Sequence, residues 1–445
     1  MTEHLNVFSA FIRQTNFDHI PTDTVSRAKL IIADCIGAIV GGSAEPEMLA
    51  FANSIASSGN ARILGSSNFA DPQIASLING TAGTVLEMDE GHQFARGHPG
   101  MHVLPALLSA SENAVDPVSG RDFLTAFIVG YDIAARIGLS TSLNPNMHPH
   151  GTWGVVGAAA ALGALNKLNE IQLSEMINIA SSLTLATSRK TMLEGGTVRN
   201  AYTGVANQMA HLAHGLLMAG FSGEKDGLRS VFDGVVSSFF DVEAALEKIG
   251  ERFEVNRNYF KLHACCRYNH AALDAIWIMI EQHSELQCPK DIVRIDVESY
   301  FLAAELNNQK PRNALAARFS IPFAIATTLI NRSSSVHSFT GSALSNREIL
   351  ALAAKITVTE NSDMSAKLPD LRPALVNITM RNGFIFSQEV ETNRGDWQDP
   401  YDNAQLKDKF MSLTARRWST KMSEAVYKNL MVLDELPDVS KVFDT

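Results

Sequence analysis

The sequence predicts a mostly α protein, in which a large all-helical domain carries an inserted α+β domain with an antiparallel sheet. Three observations lead to this fold class. Apolar residues recur at helical spacing over most of residues 1–268, as in RDFLTAFIVGYDIAARIGLS. Residues 269–396 contain segments with strand alternation, and residues 397–445 return to helical spacing. We therefore expect a helical domain in two pieces, with the α+β domain between them.

Composition narrows the functional class. The 445 residues are 46% apolar and 19% charged, which allows a large core to be buried. A net charge of −10 argues against nucleic acid or an anionic membrane as a partner. Four cysteines make no disulfide framework, and MTEHLNVFSAFIRQ lacks the pattern of a secretory signal. The longest apolar run is interrupted by Asp34, so we expect a cytoplasmic protein that does not span a membrane.

Several helices have ends that can be read from the sequence. PTDTVSRAKLIIADCIGAIVGG begins with Pro21 and ends at two glycines, as a helix should. Further helices are predicted over residues 75–86 and from Val103 onward. The alanine-rich segment from Val155 has little side-chain bulk, so we expect it to lie deep between other helices.

Strands are predicted only after residue 288. Val293, Ile295 and Val297 alternate with charged residues, which is typical of a half-buried strand. KITVTE is a second candidate strand. ALVNITMRNGFIFSQEVE is predicted to be a hairpin, with Asn382-Gly383 as a two-residue turn.

Residues 87–105, EMDEGHQFARGHPGMHVLP, are the strongest candidate for a functional site. Glycines and prolines interrupt the stretch, so we expect an ordered loop between two buried helices. It places seven ionisable side chains in one short segment: Glu87, Asp89, Glu90, His92, Arg96, His98 and His102. A solvated turn without function is the alternative, but such a turn rarely needs three histidines.

Three further segments carry candidate binding residues. A Pro/Gly-rich loop holds His148 and His150. Arg199 lies at a predicted helix start, which favours a carboxylate ligand, although a surface helix cap is an equal alternative. Four more ionisable residues precede the following helix: Lys261, His263, Arg267 and His270. Cys265 and Cys266 fit no common zinc spacing, so we expect core cysteines there.

Five stretches, in order, resemble the MmgE/PrpD family. The strongest is NGTAGTVLEMDEGHQFARGHPGMHVLPALLSASE, which looks like the family's acidic loop and HP(S/G)xxVLPA signature. The others are AKLIIADCIGAIVGG, HGTWGVVGAAAALGAL, YTGVANQMAHLAHGLLMAGFSG and KLHACCRYNHAALDA. The family includes 2-methylcitrate dehydratases, cis-aconitate decarboxylases and iminodisuccinate epimerases. The alternating strands fit its inserted lid domain, which we expect at residues 269–396.

The resemblance implies a cofactor-free enzyme, usually a homodimer, that acts on small di- or tricarboxylates in a cleft between helical domain and lid. His98 falls on the histidine of the HP motif, a general acid/base. His150 falls on the histidine of a second loop, and Lys261 on a lysine that lines the site. Glu87 and Asp89, from the acidic loop, complete the expected catalytic group.

The sequence departs from the better-known members of the family at several positions. Glu87 stands in place of an aspartate, if one residue is inserted before His98. Arg199 replaces a lysine and Tyr202 a histidine. Phe323 stands where many members carry a tyrosine, and it has no hydroxyl that could donate a proton. These changes leave the specific reaction open.

The chemistry common to the family is the making or quenching of a carbanion beside a carboxylate. Histidine suits the proton transfer near neutral pH, and fixed cations stabilise the enolate-like state. The residues expected to bind the substrate are Arg199, Tyr202, Arg267, Arg96 and His92.

We favour a hydro-lyase of the 2-methylcitrate dehydratase type, in which His150 or Lys261 protonates the leaving hydroxide. The alternatives, in order, are a dicarboxylate epimerase or isomerase, a cis-aconitate decarboxylase and a catalytically silent carboxylate-binding protein. A divalent metal held by His92, His98 and Asp89 is a further alternative, but we expect neither a metal nor a cofactor.

Overall fold

The computed structural model describes residues 2–55 and 57–444, and it is mostly α-helical, as predicted. Twelve helices precede residue 250 in the described part of the chain: α1 (Glu3–Gln14), α2 (Thr22–Gly42), α3 (Pro46–Ser54), α4 (Pro72–Val85), α5 (Pro99–Glu112), α6 (Gly120–Leu139), α7 (Trp153–Leu165), α8 (Glu170–Ser182), α9 (Lys190–Leu193), α10 (Ala201–Met218), α11 (Gly227–Phe232) and α12 (Val242–Leu246). Within residues 2–55 and 57–444, no helix combines the length and apolarity needed to cross a bilayer.

Small residues let these helices pack closely. At Gly42 in α2, a Cβ atom would lie 1.9 Å from the carbonyl oxygen of Ala82 in α4, so only glycine fits there. The alanine-rich helix α7 is buried from Trp153 to Gly163, as its composition predicted. Helix α5 packs against α4 and α7 and therefore starts inside the helical core.

The strands of this region are short: β1 (Ala61–Arg62), β2 (Phe69–Ala70), β3 (Gly91–His92), β4 (Thr141–Leu143), β5 (Ser237–Phe240) and β6 (Asn258–Tyr259). They form antiparallel pairs, β1 with β2, β3 with β6 and β4 with β5. The β3–β6 pair connects the stretch at residues 87–98 to a segment more than 160 residues later in the chain, since Gly91 lies opposite Tyr259.

The predicted loop at residues 87–105 is shorter than expected. Helix α5 begins at Pro99 rather than at Val103, and Pro105 lies inside it. Pro99 is tolerated in the first turn of α5 because the N–H that proline lacks would have no partner there. We call the remaining part, residues 86–98, the acidic loop.

The larger sheet follows residue 291 and has the order β10–β9–β7–β8. Its strands are β7 (Ile292–Ser299), β8 (Ile356–Glu360), β9 (Ala374–Met380) and β10 (Ile385–Val390). The helices between residues 269 and 366 are α13 (His270–Gln282), α14 (Phe301–Ala304), α15 (Ala314–Arg318), α16 (Ile321–Asn331), α17 (Gly341–Leu344), α18 (Arg347–Ala353) and α19 (Ser362–Ser365). The sheet and these helices share an apolar core, to which Leu86 and Met88 of the acidic loop also belong.

The prediction of a purely antiparallel sheet is wrong. Strands β7 and β8 pair in parallel, whereas β9 pairs antiparallel with both β7 and β10. The chain between β7 and β8 runs through five α-helices. They bring it back to the end of the sheet at which β7 begins, so that β8 can run in the same direction as β7. Such a crossover allows a parallel pair, and strand alternation alone does not reveal strand direction.

The predicted hairpin is present, but its turn is longer by one residue. Met380 accepts a hydrogen bond from Gly383 and donates one to Phe384, so Arg381, Asn382 and Gly383 form a three-residue loop. Gly383 has a φ of +87°, the left-handed conformation that closes this type of turn.

After the sheet come two more helices, α20 (Asn403–Thr414) and α21 (Thr420–Met431), in a segment that was predicted to be helical. Both helices pack on α2. Lys409 of α20 is buried, and its Nζ donates a hydrogen bond to the carbonyl oxygen of Met88, 2.6 Å away, and another to Asp34. The last helical segment therefore holds the acidic loop.

Candidate active site

A small cavity of about 50 Å³ lies against the acidic loop. Its wall is formed both by residues before 269 and by residues of the later segment that contains the larger sheet. The lining residues are Glu87, Arg96, His98, His148, Pro149, His150, Arg189, Met192, Arg199, Tyr259, Cys266, Arg267, Tyr268, Phe319 and Arg372. Five of these residues are arginines and one is a carboxylate. This balance of charge suits an anionic ligand.

His98 occupies the residue before α5, and the acidic loop determines which of its nitrogens is free. The Nδ1–H donates to the backbone oxygen of Glu90, and Asp89 Oδ2 lies 3.1 Å from the same nitrogen. Nε2 has no hydrogen-bond partner among the described residues. An imidazole held through Nδ1 with Nε2 free is arranged to accept a proton at Nε2.

The ionisation states of this pair follow from burial and charge. Burial lowers the pKa of His98, an effect that the nearby Asp89 opposes. Burial disfavours the charged form of Asp89, but His98, Lys261 and Arg199 outweigh it and hold the pKa of Asp89 below its ordinary value. We therefore describe the pair as a carboxylate that orients a neutral imidazole.

His150 is the second histidine of the cavity. Its ring lies 4.8 Å from the ring of His98, centroid to centroid, and nearly perpendicular to it. Thr203 Oγ1 is 3.4 Å from its Nδ1, while Nε2 has no partner in residues 2–55 and 57–444. Burial first, and then the charge of Arg199, place the pKa of His150 well below its ordinary value.

The neighbouring histidines have structural roles. His102 Nδ1 donates to the backbone oxygen of His98 at 2.8 Å, and its Nε2 accepts the backbone N–H of Gly151 at 3.2 Å. Burial lowers the pKa of His102 to about 4. His148 Nδ1 accepts the backbone N–H of His150 at 3.1 Å and so helps to fix that loop.

A buried group of charges adjoins His98. Glu87 forms an ion pair with Arg199, and Lys261 Nζ lies 3.7 Å from Glu87 Oε2 and 3.5 Å from Asp89 Oδ1. Glu87 has a φ of +54°, a left-handed conformation that costs roughly 1–2 kcal/mol. Several of their buried polar atoms lack a directed hydrogen bond within the described residues: Glu87 Oε1, both oxygens of Asp89, Arg199 Nη1 and Lys261 Nζ. Such atoms could take part in binding a polar ligand.

The predicted binding residues Arg199, Arg267 and Arg96 all line the cavity, but they differ in their contacts and in their exposure. Arg199 lines the cavity with its guanidinium 5.2 Å from the Phe319 ring. Arg267 also lines it, but forms an ion pair with Asp396. Arg96 is exposed at the rim and donates to the backbone oxygen of Thr141.

The structure does not bring Tyr202 or His92 to the cavity lining. The Tyr202 hydroxyl donates to Thr191 Oγ1 at 3.2 Å, and its ring packs on His148. His92 lies 3.1 Å from Glu254 through Nε2 and accepts the Ala95 N–H at Nδ1.

Phe323 also lies outside the lining. It is fully buried beside Phe339, in the apolar core that the larger sheet shares with the helices around it. Phe319, four residues earlier, is the aromatic residue that reaches the cavity.

Cys265 and Cys266 are free and buried, as expected for core cysteines. His263 uses both ring nitrogens, on Ser334 and Asp274. No cluster of three or more histidine, cysteine or acidic residues suited to a metal occurs in residues 2–55 and 57–444.

Sequence reasoning missed several lining residues: Tyr259, Tyr268, Phe319 and Arg372. Arg372 precedes β9 in a segment, KLPDLRPALV, that shows no motif. Only the folded arrangement brings it to the acidic loop, where it donates to the backbone oxygen of Gln93.

Comparison with known proteins agrees with the resemblance. Residues 6–245 match the MmgE/PrpD N-terminal domain, and residues 263–431 match the MmgE/PrpD C-terminal domain. A cis-aconitate decarboxylase of Aspergillus terreus is 24% identical over 96% of this chain and 92% of its own length. The cis-aconitate decarboxylases of Mus musculus and Homo sapiens are each 23% identical over 97% of this chain, covering 91% and 92% of their own lengths. The two matched domains cover most of the chain, which therefore belongs to the MmgE/PrpD family.

Proposed function

We propose that this protein is a lyase that acts on a small di- or tricarboxylate by moving a proton beside a carboxylate. The observation that carries the proposal is a pair of buried imidazoles, His98 and His150, each with an unpartnered Nε2 within the described residues, on a cavity lined by arginines. The pair supplies two groups for proton transfer, and the cations supply the charge that an enolate-like state requires.

The favoured reaction is the removal of water. His98, oriented by Asp89, accepts the proton from the carbon beside the carboxylate. Arg199 and Lys261 stabilise the negative charge that develops there. The carbon–oxygen bond then breaks, and a proton from His150 or Lys261 converts the leaving hydroxide to water.

Decarboxylation is the second candidate, and the similarity to cis-aconitate decarboxylases favours it. In this reaction a carbon–carbon bond breaks and carbon dioxide leaves. His98, after taking up a proton from solvent, delivers that proton to the carbanion. The same residues would serve, because both reactions pass through negative charge beside a carboxylate.

Proton NMR in D2O distinguishes these reactions. The purified protein would be incubated with 2-methylcitrate, citrate, cis-aconitate and iminodisuccinate, with His98→Ala as the control. New alkene signals, or loss of alkene by hydration, would support the hydro-lyase. Formation of a product with one carboxylate fewer would support the decarboxylase. Deuterium exchange without net conversion would indicate an epimerase, and no change with any acid would contradict the proposal.

We further propose that residues 269–396 act as a lid over the cavity. Their own apolar core, and their contribution of Phe319 and Arg372 to the cavity wall, support this role. A cavity of about 50 Å³ is much smaller than the 300–1,000 Å³ typical of ligand pockets. Movement of the lid would make room for the substrate.

We also propose a homodimer with α10 at the interface. Val205, Met209, Leu212 and Leu216 lie on one face of α10 and remain partly exposed, and Met218 at its end is 61% exposed. Such an apolar surface is typical of an interface. Light scattering after gel filtration should give twice the chain mass of 48.3 kDa, and a monomer would contradict this proposal.

A further inference from the structure

The arginines of the cavity differ in whether a carboxylate neutralises them. Three of them are paired: Arg199 with Glu87, Arg189 with Glu305 and Arg267 with Asp396. Arg96 has no such partner in the described residues, but it is exposed to solvent. Arg372 is only 4% exposed, and no Asp or Glu pairs with it in residues 2–55 and 57–444. It is therefore the buried cation of the lining that lacks a counter-ion.

The hydrogen bonds of Arg372 leave part of its guanidinium unused. Nη2 donates to the backbone oxygen of Gln93. Nε is buried without a partner, and Nη1 donates no hydrogen bond within the described residues. The guanidinium carbon lies 5.4 Å from the centroid of the Tyr268 ring. A guanidinium with free N–H groups is suited to bind a carboxylate through two hydrogen bonds.

The position of Arg372 is fixed by contacts between two distant loops. The side-chain nitrogen of Gln93 donates to the backbone oxygens of Pro369 and Asp370, at 2.6 and 2.7 Å. Arg372 returns a bond to the backbone of Gln93. With the lid closed, the arginine is thus held at the cavity wall by contacts within the protein.

Arg372 is not bonded to the charged groups around His98. Within the described residues it makes no hydrogen bond or ion pair with Glu87, Asp89, His98, Arg199 or Lys261, although it lines the same cavity as Glu87, His98 and Arg199. A carboxylate beside the reacting carbon would meet Arg199 and Lys261. Arg372 is therefore placed to meet a different carboxylate of the same molecule.

We propose that Arg372 binds a second carboxylate of the substrate, distant from the reacting carbon, and so makes the site selective for acids with at least two carboxylates. This proposal rests on the proposed function. An unpaired buried charge is costly, and a substrate carboxylate would compensate for it. The lid segment would then be held against the acidic loop by the substrate itself.

Calorimetric titration with two ligands of equal size tests the proposal without any turnover. Glutarate carries two carboxylates, and glutaramate replaces one of them with a neutral amide. Arg372→Gln should lower the affinity for glutarate roughly 10-fold or more, as expected for a lost charge-assisted bond. It should change the affinity for glutaramate by less than about 3-fold, the size of an ordinary indirect effect. Equal losses for both ligands would overturn the proposal.

Two further variants separate recognition from a structural role. Arg372→Lys keeps the positive charge but loses the planar guanidinium. Its affinity for glutarate should therefore lie between that of the wild type and that of Arg372→Gln. It also serves if Arg372→Gln does not fold. Arg381→Gln changes an exposed arginine in the loop between β9 and β10 and should leave both affinities unchanged.

The outcomes also separate this proposal from the proposed function. Turnover of a diacid together with unchanged glutarate binding in Arg372→Gln would overturn the role of Arg372 alone. Selective loss of glutarate binding in a protein that converts no acid would retain the role of Arg372 and overturn the lyase. Failure of the wild-type protein to bind glutarate would overturn the role of Arg372.

Discussion

At the scale of single residues, the partners of each ring nitrogen separate the histidines. His92 and His102 use both nitrogens in contacts within the fold, whereas His98 and His150 keep Nε2 unpartnered among the described residues. All four are buried. The sequence reveals that His92, His98 and His102 are close in the chain, but their partners come from residues as distant as Glu254. The spacing of residues therefore identified residues 87–105 as a candidate site, but it could not show that His92 lies outside the cavity lining.

Removal of the imidazole of His98 should lower the turnover number by roughly 10² or more, as expected for a general acid/base. Steady-state kinetics with the acid identified by NMR would measure the effect in His98→Ala. The exposed His337 provides a matched control, because His337→Ala removes an imidazole far from the acidic loop. Equal rates in wild type and His98→Ala would remove His98 from the mechanism.

The pH profile should report the contact between His98 and Asp89. Because burial lowers the pKa of His98, kcat/KM of the wild type should rise with pH, with the midpoint of the rise below pH 6.5. Asp89 raises the pKa of His98, so Asp89→Asn should move this rise to still lower pH and reduce the plateau.

The exposed variant Asp116→Asn is the control for this change. A shift to higher pH in Asp89→Asn would contradict the assigned charge of Asp89.

At the scale of elements, a helix near the end of the chain supports the acidic loop. Lys409 of α20 lies between the Asp34 side chain and the backbone oxygen of Met88, the residue between Glu87 and Asp89. Burial raises the pKa of Asp34, an effect that Lys409 opposes. The sequence predicted α20 as a helix, but nothing in its spacing distinguished Lys409 from a surface lysine.

Lys409→Met should lower the free energy of unfolding by roughly 3–5 kcal/mol, because it leaves the charge of Asp34 buried without a partner. The double variant Asp34→Asn/Lys409→Met should lose less than the sum of the two single variants. Urea unfolding of the four proteins measures this coupling. Strictly additive losses would contradict a direct interaction.

The prediction of helices and strands succeeded where one hydrophobic period dominates a segment. It failed where the structure depends on pairing between segments that are distant in the sequence. Helix α2 and strands β7, β8 and β9 were predicted from their local pattern. The parallel pairing of β7 with β8 was not, because it depends on the path of the intervening helices. The cavity lining provided by Phe319 and Arg372 was missed for the same reason.

At the scale of the whole molecule, Glu90 should make stability depend on pH. Its Oε1 accepts the N–H of Gly100 at 2.8 Å, and the Tyr131 hydroxyl donates to Oε2 at 3.0 Å. Burial raises the pKa of Glu90 from 4.5 to about 8. The folded state therefore holds a proton that the unfolded state has lost. Stability from this group is complete below pH 4.5 and is lost as the pH rises toward 8.

Glu90→Gln should abolish this part of the pH dependence. Between pH 5 and 8, the free energy of unfolding of the wild type should fall relative to the variant by up to about 1.4 kcal/mol per pH unit. Urea unfolding at pH 6, 7 and 8 measures the difference. A difference between the two proteins that does not change with pH would contradict the raised pKa.

The contact between Lys409 and Met88 has a consequence for synthesis on the ribosome. The acidic loop and all the histidines of the cavity are translated before residue 151, but the lysine that holds the loop follows more than 250 residues later. A nascent chain that stops before α20 would carry the chemical groups without the support that positions them. Catalytic competence should therefore appear late, after nearly the whole polypeptide has left the exit tunnel.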